Sequence, residues 1–420
     1  MLTTAPRGTK DILPGAVNGW RYVESVLRDV CREFNYQEIR TPIFEHTELF
    51  QRGIGDGTDV VDKEMYTFND RSGRSITLRP ENTAAVVRFF VENKFYAEPM
   101  PLKVFYIGPM FRYDRPQAGR MRQFHQFGVE AMGSPSPVVD AETILLAITV
   151  LKRLGLKDLK LKINSVGCPK CRPQHRTLLQ DYFRPHLKEL CEDCQSRFDR
   201  SPLRILDCKV DHDKPFMAGA PKITDSLCEE CHDHFEMVKK LLDEAGVDYE
   251  VDSTLVRGLD YYTKTAYEVQ YSPLGAQSAV GGGGRYDGLV EELGGPSTPG
   301  VGFAMGLERI ILALEKQGLL KSEKEAIDVF AVVPDEGGTA DAFKAVMTLR
   351  EAGYSCDMNQ IGRSMKAQMK QADRTGARFA LIFGEEERSR GAVTVRNMAD
   401  SSQEEIKRSE IVSYMKKAEV

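Results

Sequence analysis

Hydrophobic and polar positions recur along the chain with two periods, and each period predicts a different kind of element. Between Asn18 and Phe34 the apolar residues recur every three or four positions, which is the spacing of one buried helix face. The segment DAETILLAITVLKRLG, 140–155, has the same helical pattern. By contrast, KVFYIGPMFRY and RQFHQFGVEAM alternate every second residue, as strands with one covered face do. These two segments are predicted to pair through a polar loop that contains Gly119.

The rest of the chain continues this mixture of elements. YQEIRTPIFEHTELF is predicted to be extended, with Pro42 at an edge or irregular position. ITLRP, 76–80, predicts a short strand, and Asn82 or Thr83 is placed to cap the helix that follows. VGFAMGLERIILALEKQG predicts a strand that runs into a helix. We therefore expect an α+β protein with antiparallel strand pairs.

Two changes in composition divide the chain. Seven of the nine cysteines and five of the seven histidines lie between Cys168 and Gly246, and the strand pattern resumes after them. After the charged segment KSEKEA, the apolar run IDVFAVV opens a further α/β unit. We therefore expect one domain built from 1–165 and 249–322, an insertion at 166–248, and a separate domain at 323–420.

The composition is that of a globular protein. Hydrophobic residues make up 41% and charged residues 28% of the chain. No apolar run approaches the roughly 18 residues that a membrane helix needs, and the N-terminus lacks the signal-peptide pattern. We expect a cytoplasmic protein with no membrane partner and with mostly reduced cysteines. Because the net charge is −5, a nucleic-acid partner would have to be met by local basic patches.

The two paired strands share a face that carries unusual polar groups. An arginine, an amide, a carboxylate and aromatic rings lie there beside glycines, which leave room for a ligand near the backbone. The residues of this face are Tyr106, Gly108, Met110 and Arg112 on one strand and Phe124, Gln126, Gly128, Glu130 and Met132 on the other. Since buried charges need partners, two interpretations are open: an internal Arg112–Glu130 salt bridge, or a site for a zwitterion and a phosphate.

Three further segments favour the ligand site. RGLDYYT, 257–263, supplies an arginine and two tyrosines, and a glycine run follows at 281–284. In GLERIILALE the apolar face leaves Arg309 near a helix N-terminus, which favours anions, although a solvated surface arginine is the alternative. The glycine run fits neither G-x-G-x-x-G nor G-x-x-x-x-G-K-[ST], so both common nucleotide-binding folds are disfavoured.

Together these segments resemble the class II aminoacyl-tRNA synthetases, and most closely the histidyl-tRNA synthetase family. YQEIRTPIFE resembles the first class motif, FRYDRP with RQFHQFGVE the second, and GVGFAMGLER the third. RGLDYYT and GGRYDGL resemble the two histidine-specific motifs. The resemblance covers nearly the whole chain. It implies an antiparallel-sheet catalytic domain at 1–165 and 249–322, a helical cysteine-rich insertion at 166–248 and a C-terminal α/β anticodon-binding domain at 323–420.

The resemblance also implies an activity and the residues that carry it. The enzyme would use ATP and Mg²⁺ to activate L-histidine as histidyl-adenylate and would transfer it to the 3′ end of tRNA(His). It would be a homodimer that pairs through the first class motif. Arg112 and Arg257 would be catalytic, on opposite sides of the α-phosphate. Histidine would be bound by Glu81, Asn82, Thr83, Arg112, Gln126, Glu130, Arg257, Tyr261, Tyr262 and Tyr286, and ATP by Arg112, Asp114, Arg120, Phe124 and Arg309.

One position departs from the family pattern. The segment here is RPENT, where the family usually has glycine in place of Asn82. Asparagine tolerates unusual backbone angles better than most residues, so we expect the function to be retained.

The cysteines form three C-x-x-C pairs, at 168–171, 191–194 and 228–231. Nineteen residues separate the first two pairs, so Cys168, Cys171, Cys191 and Cys194 are predicted to form one structural zinc site. A second site could draw on Cys208, Cys228 and Cys231, with His232 or His234. Disulfides and unmetallated thiols are the alternatives.

The C-terminal domain carries a basic stripe, formed by Arg363, Lys366, Lys370 and Arg374 on a predicted helix at 363–376. By itself the stripe is an ordinary solvated face, but the resemblance makes it a surface for tRNA phosphates. The competing functions are a non-catalytic histidine-binding regulatory paralogue of histidine biosynthesis and a zinc-stapled nucleic-acid-binding protein. The regulatory type lacks both the anticodon-binding domain and the arginine of RGLDYYT, and this chain has both.

Overall fold

The computed structural model describes residues 3–55, 58, 60–208, 210–275, 278–320 and 326–418. The chain divides into two compact units, Met1–Lys321 and Ser322–Val420. Within the described ranges, no helix is both long and apolar enough to cross a bilayer.

The described residues form sixteen strands, and eight of them belong to one large sheet. In chain order they are β1 Gln37–Glu38, β2 Phe44–His46, β3 Tyr66–Asn69, β4 Ser75–Leu78, β5 Leu102–Phe111, β6 Gln123–Met132, β7 Leu159–Ser165, β8 Glu250–Val251, β9 Thr263–Tyr271, β10 Ala279–Arg285, β11 Gly300–Gly306, β12 Val329–Val332, β13 Cys356–Met358, β14 Phe379–Ile382, β15 Ala392–Asn397 and β16 Gln403–Lys407.

The α-helices of the same residues flank the sheets or build the insertion. They are α1 Ala16–Glu33, α2 Thr47–Ile54, α3 Thr83–Glu92, α4 Pro137–Arg153, α5 Arg172–Phe183, α6 Glu192–Arg200, α7 Glu229–Glu244, α8 Leu289–Glu292, α9 Leu307–Lys316, α10 Thr339–Glu351, α11 Met365–Arg374, α12 Glu385–Ser389 and α13 Ile411–Ala418.

The central sheet of the first unit has the order β1-β5-β6-β11-β10-β9-β7-β8. Its outermost pairs, β1 with β5 and β7 with β8, are parallel, and the pairs between them are antiparallel. The predicted pairing of the two polar-faced strands is confirmed, with Tyr106 opposite Gly128 and Gly108 opposite Gln126. The α+β class predicted from the sequence is therefore confirmed.

Alternation along β6 separates the core from the polar face. Phe127 and Val129 are fully buried in the main core, which also contains the apolar faces of α1, α4 and α9. Glu130 and its polar neighbours point to the opposite side of the sheet, because successive side chains on a strand alternate. In α1 the predicted helical spacing is confirmed, since Val23 and Leu27 lie in the same core.

The extended segment that follows α1 is shorter than predicted. Pro42 separates β1 from β2, and the chain turns helical at Thr47. The reason is tertiary, because Phe50 and Ile54 lie one helical turn apart and are both fully buried in a small cluster with α3. β2 instead joins β4 and β3 in a three-stranded antiparallel sheet.

The insertion leaves the central sheet after β7 and returns to it through α7 and β8. Its outer part has its own small core, which includes Leu179, Phe183, Phe198 and Ile205. The second unit contains a five-stranded sheet of order β13-β12-β14-β15-β16.

The helix predicted at 363–376 begins later than expected, because Arg363 precedes α11. All four residues of the basic stripe are exposed.

A buried ionic network joins the sheet, α4 and the insertion. Arg285 at the end of β10 is fully buried, and both of its Nε contacts to the Asp140 carboxylate oxygens are 3.1 Å. His234 of α7 places Nε2 3.1 Å from the same carboxylate. Burial opposes ionisation of Asp140, but its contacts with His234 and Arg285 hold its pKa below the usual value. The network therefore secures the helix through which the insertion rejoins the sheet.

We expect Arg285→Met to lower the free energy of unfolding by about 3–5 kcal/mol, because it leaves the buried Asp140 carboxylate without its main counter-charge. The double variant Arg285→Met/Asp140→Leu should be less destabilised than the sum of its single changes. Urea-induced unfolding measures both effects. Arg28→Met, which breaks an exposed ion pair with Glu38, is the control and should cost less than about 1 kcal/mol. Equal effects of Arg285→Met and Arg28→Met would contradict the role of the network.

Candidate active site

Two adjoining cavities lie on the polar face of the central sheet. The smaller, about 230 Å³, is lined by residues of β5, β6, β11 and the RGLDYYT segment. The larger, about 520 Å³, extends toward the loop 112–122 and the start of α9. Arg112, Gln126 and Arg257 line both cavities. The two arginines predicted to be catalytic therefore face one continuous site.

Glycines make this site possible because functional side chains lie flat over them. A Cβ added to Gly282 would lie 2.7 Å from a guanidinium nitrogen of Arg257. A Cβ on Gly302 would overlap the Glu130 carboxylate, and one on Gly128 would overlap the Tyr106 hydroxyl. The glycine run of β10 and the glycines of β6 and β11 thus leave the space in which charged groups pack against the sheet.

The floor of the smaller cavity is a buried carboxylate held by two hydroxyls. Thr83 donates its hydroxyl to Glu130 at 2.8 Å, and Tyr286 donates its own at 2.7 Å. Burial raises the pKa of Glu130 to about 8, the hydrogen bonds from Tyr286 and Thr83 oppose this shift, and the Glu81 carboxylate adds to it. Arg112 instead donates to the carbonyl of Pro80 at 2.8 Å. No Arg112–Glu130 ion pair occurs in the described structure, so the salt-bridge interpretation is wrong.

Glu81 caps helix α3, a role that the sequence assigned to Asn82 or Thr83. Its carboxylate accepts the backbone N–H of Thr83 at 2.6 Å and that of Ala84 at 3.0 Å. Burial raises its pKa, against these hydrogen bonds and the charge of Arg112. Glu81 still lines the smaller cavity, together with Thr83. Capping holds the carboxylate at a fixed position on the cavity wall.

Asn82 lies behind the cavity. Its Oδ1 accepts the hydroxyl of Thr41 at 2.7 Å and lies 3.4 Å from a guanidinium nitrogen of Arg79. Its backbone has an ordinary negative φ of −121°. The asparagine therefore fits this position without strain, and its side chain points away from the groups that line the cavity.

Polar atoms of the site are buried without a protein partner. In the described part of the chain these atoms include the hydroxyl of Tyr106, Oε1 of Gln126 and Nε of Arg257. Leaving such an atom unpaired costs about 1–3 kcal/mol, so it usually has a partner that the protein alone does not supply. Both a donor and acceptors are present in this group. The cavity is therefore suited to a ligand with hydrogen-bonding groups of both kinds.

Three tyrosines enclose the smaller cavity. The rings of Tyr261 and Tyr262 have centroids 4.7 Å apart, and Tyr261 meets Tyr286 edge-on at 5.9 Å. The guanidinium of Arg257 lies 5.8 Å from the Tyr262 ring centroid and donates to Glu268 at 3.0 Å. These contacts fix the arginine where the two cavities meet.

The larger cavity combines cations with an aromatic ring. Phe124 lines it, and the Arg112 guanidinium lies 5.6 Å from the centroid of that ring. Arg120 forms an ion pair with Asp114, and both residues line the cavity. Burial and the positive charge of Arg120 lower the pKa of Arg309, which donates to the carbonyl of Ala279 at 2.6 Å. Two cations that disfavour each other electrostatically form a suitable place for an anion.

Sequence reasoning missed two carboxylates of the larger cavity. Glu268 pairs with Arg257, and Glu308 accepts the backbone N–H of His125 at 2.9 Å and contacts its ring at 3.0 Å. The charge of Glu268 was not a distinctive signal, because its strand, TKTAYEVQY, also contains Lys264. Its pairing with Gly282, which places it on the polar face, is visible only in the sheet.

The cysteines group differently from the prediction. Cys168 and Cys171 lie with Cys228 and Cys231, while Cys191 and Cys194 lie with Cys208 and Asp211. The predicted set of Cys168, Cys171, Cys191 and Cys194 is therefore wrong. The reason lies in the contacts of Lys264 at the start of β9. Its side chain forms an ion pair with Glu230 of α7 at 2.8 Å, and its backbone is hydrogen-bonded to residues 166 and 167, so the first turn of α7 lies beside the first cysteine pair. His234 binds Asp140, and His232 contacts Asp233 and Glu236.

Comparison with known proteins gives consistent matches over both units. A family model described as "Histidyl-tRNA synthetase" matches residues 8–310, and one described as "Anticodon binding domain" matches residues 328–418. A curated histidine–tRNA ligase of Pelotomaculum thermopropionicum is 58% identical over 416 residues, which are 99% of this chain and 98% of that protein.

Solved structures agree with these matches. The apo histidyl-tRNA synthetase of S. aureus has a TM-score of 0.83 at 44% identity and covers 98% of this chain and 99% of its own. A Bacillus halodurans protein titled "ATP phosphoribosyltransferase regulatory subunit/histidyl-tRNA synthetase" has a TM-score of 0.64 at 21% identity, covering 88% of this chain and 96% of its own. That second likeness concerns the fold alone.

We expect Glu130→Gln to change how stability depends on pH. Because the pKa of Glu130 is about 8 when folded and 4.5 ordinarily, the folded state binds the proton more tightly. Its contribution therefore makes stability fall as pH rises from about 4.5 to 8 and then level off. Urea unfolding at a series of pH values should show this decline in the unchanged protein and a smaller decline in the variant. Identical pH profiles would contradict the raised pKa.

Proposed function

Because the chain belongs to the histidyl-tRNA synthetase family and is thus an enzyme that ligates histidine to tRNA, we propose that its two adjoining cavities hold histidine and ATP for adenylate formation. The observation that carries this assignment is the position of Arg112 and Arg257, which line both cavities. A carboxylate in one cavity and a phosphate in the other would meet between these two guanidinium groups.

The first step joins two anions. A carboxylate oxygen of histidine attacks the α-phosphorus of ATP, a new P–O bond forms, and the bond to the leaving pyrophosphate breaks. No protein nucleophile is required, since positioning and neutralisation of charge are sufficient. Arg112 and Arg257 supply positive charge where negative charge accumulates. Groups of this kind typically contribute about 3–4 kcal/mol of transition-state stabilisation.

The smaller cavity is the proposed histidine site. The side chain and amino group of histidine bring N–H donors, and Glu130, Gln126 and Glu81 present acceptors to them. A wrong amino acid would leave these buried acceptors unpaired, which is how a polar site rejects analogues. The remaining members of the proposed site are Thr83, Tyr261, Tyr262 and Tyr286, while Asn82 contributes through the backbone position that it holds behind the cavity.

The larger cavity is the proposed ATP site. Phe124 offers a ring for the adenine, Arg309 a charge for the outermost phosphate, and Asp114 and Arg120 further polar contacts. Mg²⁺ commonly uses one or two carboxylates together with substrate phosphates, and Glu268 and Glu308 on the cavity wall fit that donor set. When bound, the ion would neutralise charge on the outer phosphates. Arg309 acts on the same phosphates from the protein side.

The other parts of the chain have proposed roles in tRNA recognition and assembly. Residues 1–165 and 249–322 form the catalytic domain, 166–248 the insertion, and 323–420 the anticodon-binding domain. The exposed residues Arg363, Lys366, Lys370 and Arg374 offer tRNA(His) a basic surface. We further propose that cysteine thiolates of the insertion hold structural zinc and that the protein is located in the cytoplasm.

A homodimer is also part of the proposal. Ile43 and Phe44, within the segment that resembles the first class motif, are 44% and 56% exposed, and Phe68 on the same small sheet is 49% exposed. Phe44 and Phe68 lie on the same face of this sheet, because their partners on β4, Leu78 and Ile76, are two residues apart. Apolar surface gathered in this way is typical of an interface.

The alternative is a non-catalytic regulatory subunit that binds histidine. The fold likeness to the Bacillus halodurans protein is compatible with it. Two features favour the enzyme: the chain has a matched anticodon-binding domain, and Arg257 stands in the site. Histidine-dependent exchange between ATP and pyrophosphate separates the two, since only the enzyme carries it out.

We expect Arg257→Ala to reduce histidine-dependent ATP–pyrophosphate exchange by at least about 100-fold, because a charge at the reacting phosphorus is lost. Histidine binding, measured by calorimetry, should remain detectable. Arg88→Ala is the matched control: it also removes a partly buried arginine from an ion pair, with Glu45, but away from both cavities. Near-normal exchange in Arg257→Ala would contradict the catalytic role of Arg257.

We expect Phe44→Asp to shift the protein from a dimer to a monomer of 47.2 kDa, because a charge would be buried against apolar surface. Sedimentation velocity measures the change. Phe343→Asp, at a 56% exposed position of the second unit, is the control and should leave the assembly intact. A purely monomeric unchanged protein would refute the dimer.

A further inference from the structure

Two clusters of metal-ligating side chains lie in the insertion. We call the first the base site, formed by Cys168, Cys171, Cys228 and Cys231, and the second the distal site, formed by Cys191, Cys194, Cys208 and Asp211. In each, one potential ligand atom per residue lies within 4.8 Å of the other three. All eight residues are buried or half-buried, and none of the cysteines forms a disulfide.

The sulfur positions of the base site match a tetrahedron around zinc. Sγ of Cys168 lies 3.7 Å from Sγ of Cys171 and 3.8 Å from Sγ of Cys228. Zn–S bonds of about 2.3 Å in tetrahedral geometry require S–S distances of about 3.8 Å. Two thiols in van der Waals contact also lie this close, so the observation that favours a metal is the convergence of four sulfur atoms within 4.8 Å of one another.

Backbone N–H groups point at the base-site sulfurs. The N–H of Lys170 donates to Sγ of Cys168 at 3.3 Å, and that of Cys228 donates to Sγ of Cys171 at 3.1 Å. Cys171 and Cys228 also stand at the N-termini of α5 and α7, where the helix dipole favours negative charge. These features stabilise thiolates, the form that binds metal.

The distal site has a mixed ligand set. Sγ of Cys191 lies 3.7 Å from Sγ of Cys208, and Asp211 follows Cys208 at the spacing of a C-x-x-C pair. The Asp211 carboxylate accepts the N–H of Cys191 at 3.1 Å and forms an ion pair with Lys214 at 2.7 Å. Such outer contacts orient a ligating carboxylate. Three thiolates and one carboxylate suit zinc.

The base site is linked directly to the histidine cavity. Arg172, next to Cys171, donates Nε to the carbonyl of Val166 at 3.1 Å and also donates to the carbonyl of Tyr262. Lys264, two residues beyond Tyr262, exchanges backbone hydrogen bonds with Val166 and Gly167 at 2.7 and 2.8 Å. The ring of Tyr262 lines the histidine cavity. Fixing Cys171 at the base site therefore also restrains, through Arg172, the segment that carries Tyr262.

We propose that the insertion binds two zinc ions, one through four thiolates at the base site and one through three thiolates and Asp211 at the distal site, and that the base site positions Tyr262 through Arg172. The ligand sets stand independently of the enzymatic assignment. The positioning role rests on the proposed function, because it is expressed in the histidine site. The distal ion would stabilise the outer core of the insertion, and Asp207, next to its ligand Cys208, lines the larger cavity.

Metal content of the full chain tests the two sites. Mass spectrometry should find two zinc ions per chain in the unchanged protein, and one each in Cys231→Ser and in Asp211→Ala. Cys356→Ala, a buried cysteine outside both clusters, should retain two. A Cys231→Ser/Cys194→Ser variant should retain none. One ion or none in the unchanged protein, or loss of both ions from either single variant, would overturn the two-site assignment.

Cobalt substitution gives a readout that needs no folded variant. After zinc is removed with a chelator and Co²⁺ is added to the unchanged chain, visible and near-ultraviolet bands should show tetrahedral cobalt bound by thiolate at two equivalents. Saturation at one equivalent, or bands of octahedral cobalt without thiolate ligation, would refute the proposal.

Kinetics test the link to Tyr262. Arg172→Ala should keep two zinc ions but raise KM for histidine in the exchange reaction by about 10-fold or more, because the contact with the Tyr262 carbonyl is lost. The effect on kcat should be smaller. Arg172→Lys should recover part of the loss, and Cys356→Ala, which changes a buried cysteine outside both clusters, should leave KM for histidine unchanged. An unchanged KM in Arg172→Ala would refute the link. An unchanged protein with two zinc ions and no exchange would instead refute the proposed function and leave the metal sites standing.

Discussion

The polar face of the central sheet depends on one steric constraint: charged and aromatic side chains lie flat across an antiparallel sheet, and only glycine leaves room beneath them. Gly128 lies under Tyr106, Gly282 under Arg257 and Gly302 under Glu130. A methyl group at any of these positions would displace the group above it. The constraint links residues that are distant in the chain, since the glycine and the side chain it accommodates come from different strands or loops.

The opposite face of the sheet compensates for this polar surface. Phe127, Val129 and Phe303 are buried against helices there, so the strands that carry the site are fixed by hydrophobic packing. The polar face can then keep Gln126 and Tyr106 with unpaired atoms, each at a cost of about 1–3 kcal/mol. Groups held in place before a ligand arrives need little rearrangement in the transition state, which is the condition for electrostatic catalysis.

The insertion follows from a different constraint. Its two ends must meet because β7 and β8 are neighbours in the sheet, and the buried Asp140 carboxylate binds α7 through His234 at the same end. The first turn of α7 also meets the start of β9, where Glu230 pairs with Lys264, so the first and last cysteine pairs come together at the base, beside the segment of Tyr262. The inner pair can only find partners farther out, which are Cys208 and Asp211. Connection to the sheet thus places the base site beside the segment that carries Tyr262, whereas the distal site is built from residues 191–211 of the insertion.

Local patterns in the sequence were sufficient to predict several helices and the face on which strand residues lie. Alternation in residues 102–132 determined which side chains share a face with Arg112 and Glu130, because a strand has a period of two wherever it lies. Helical spacing located α1, α4 and α9 for the same reason. Other features were decided by contacts between distant segments. The helix at Thr47–Ile54, the capping of α3 by Glu81, the partnership of Arg257 with Glu268 and the regrouping of the cysteines all depend on which elements the fold brings together. Sequence periodicity describes one element at a time, whereas packing, buried charge and chain closure act between elements, so only the tertiary structure could determine these pairings.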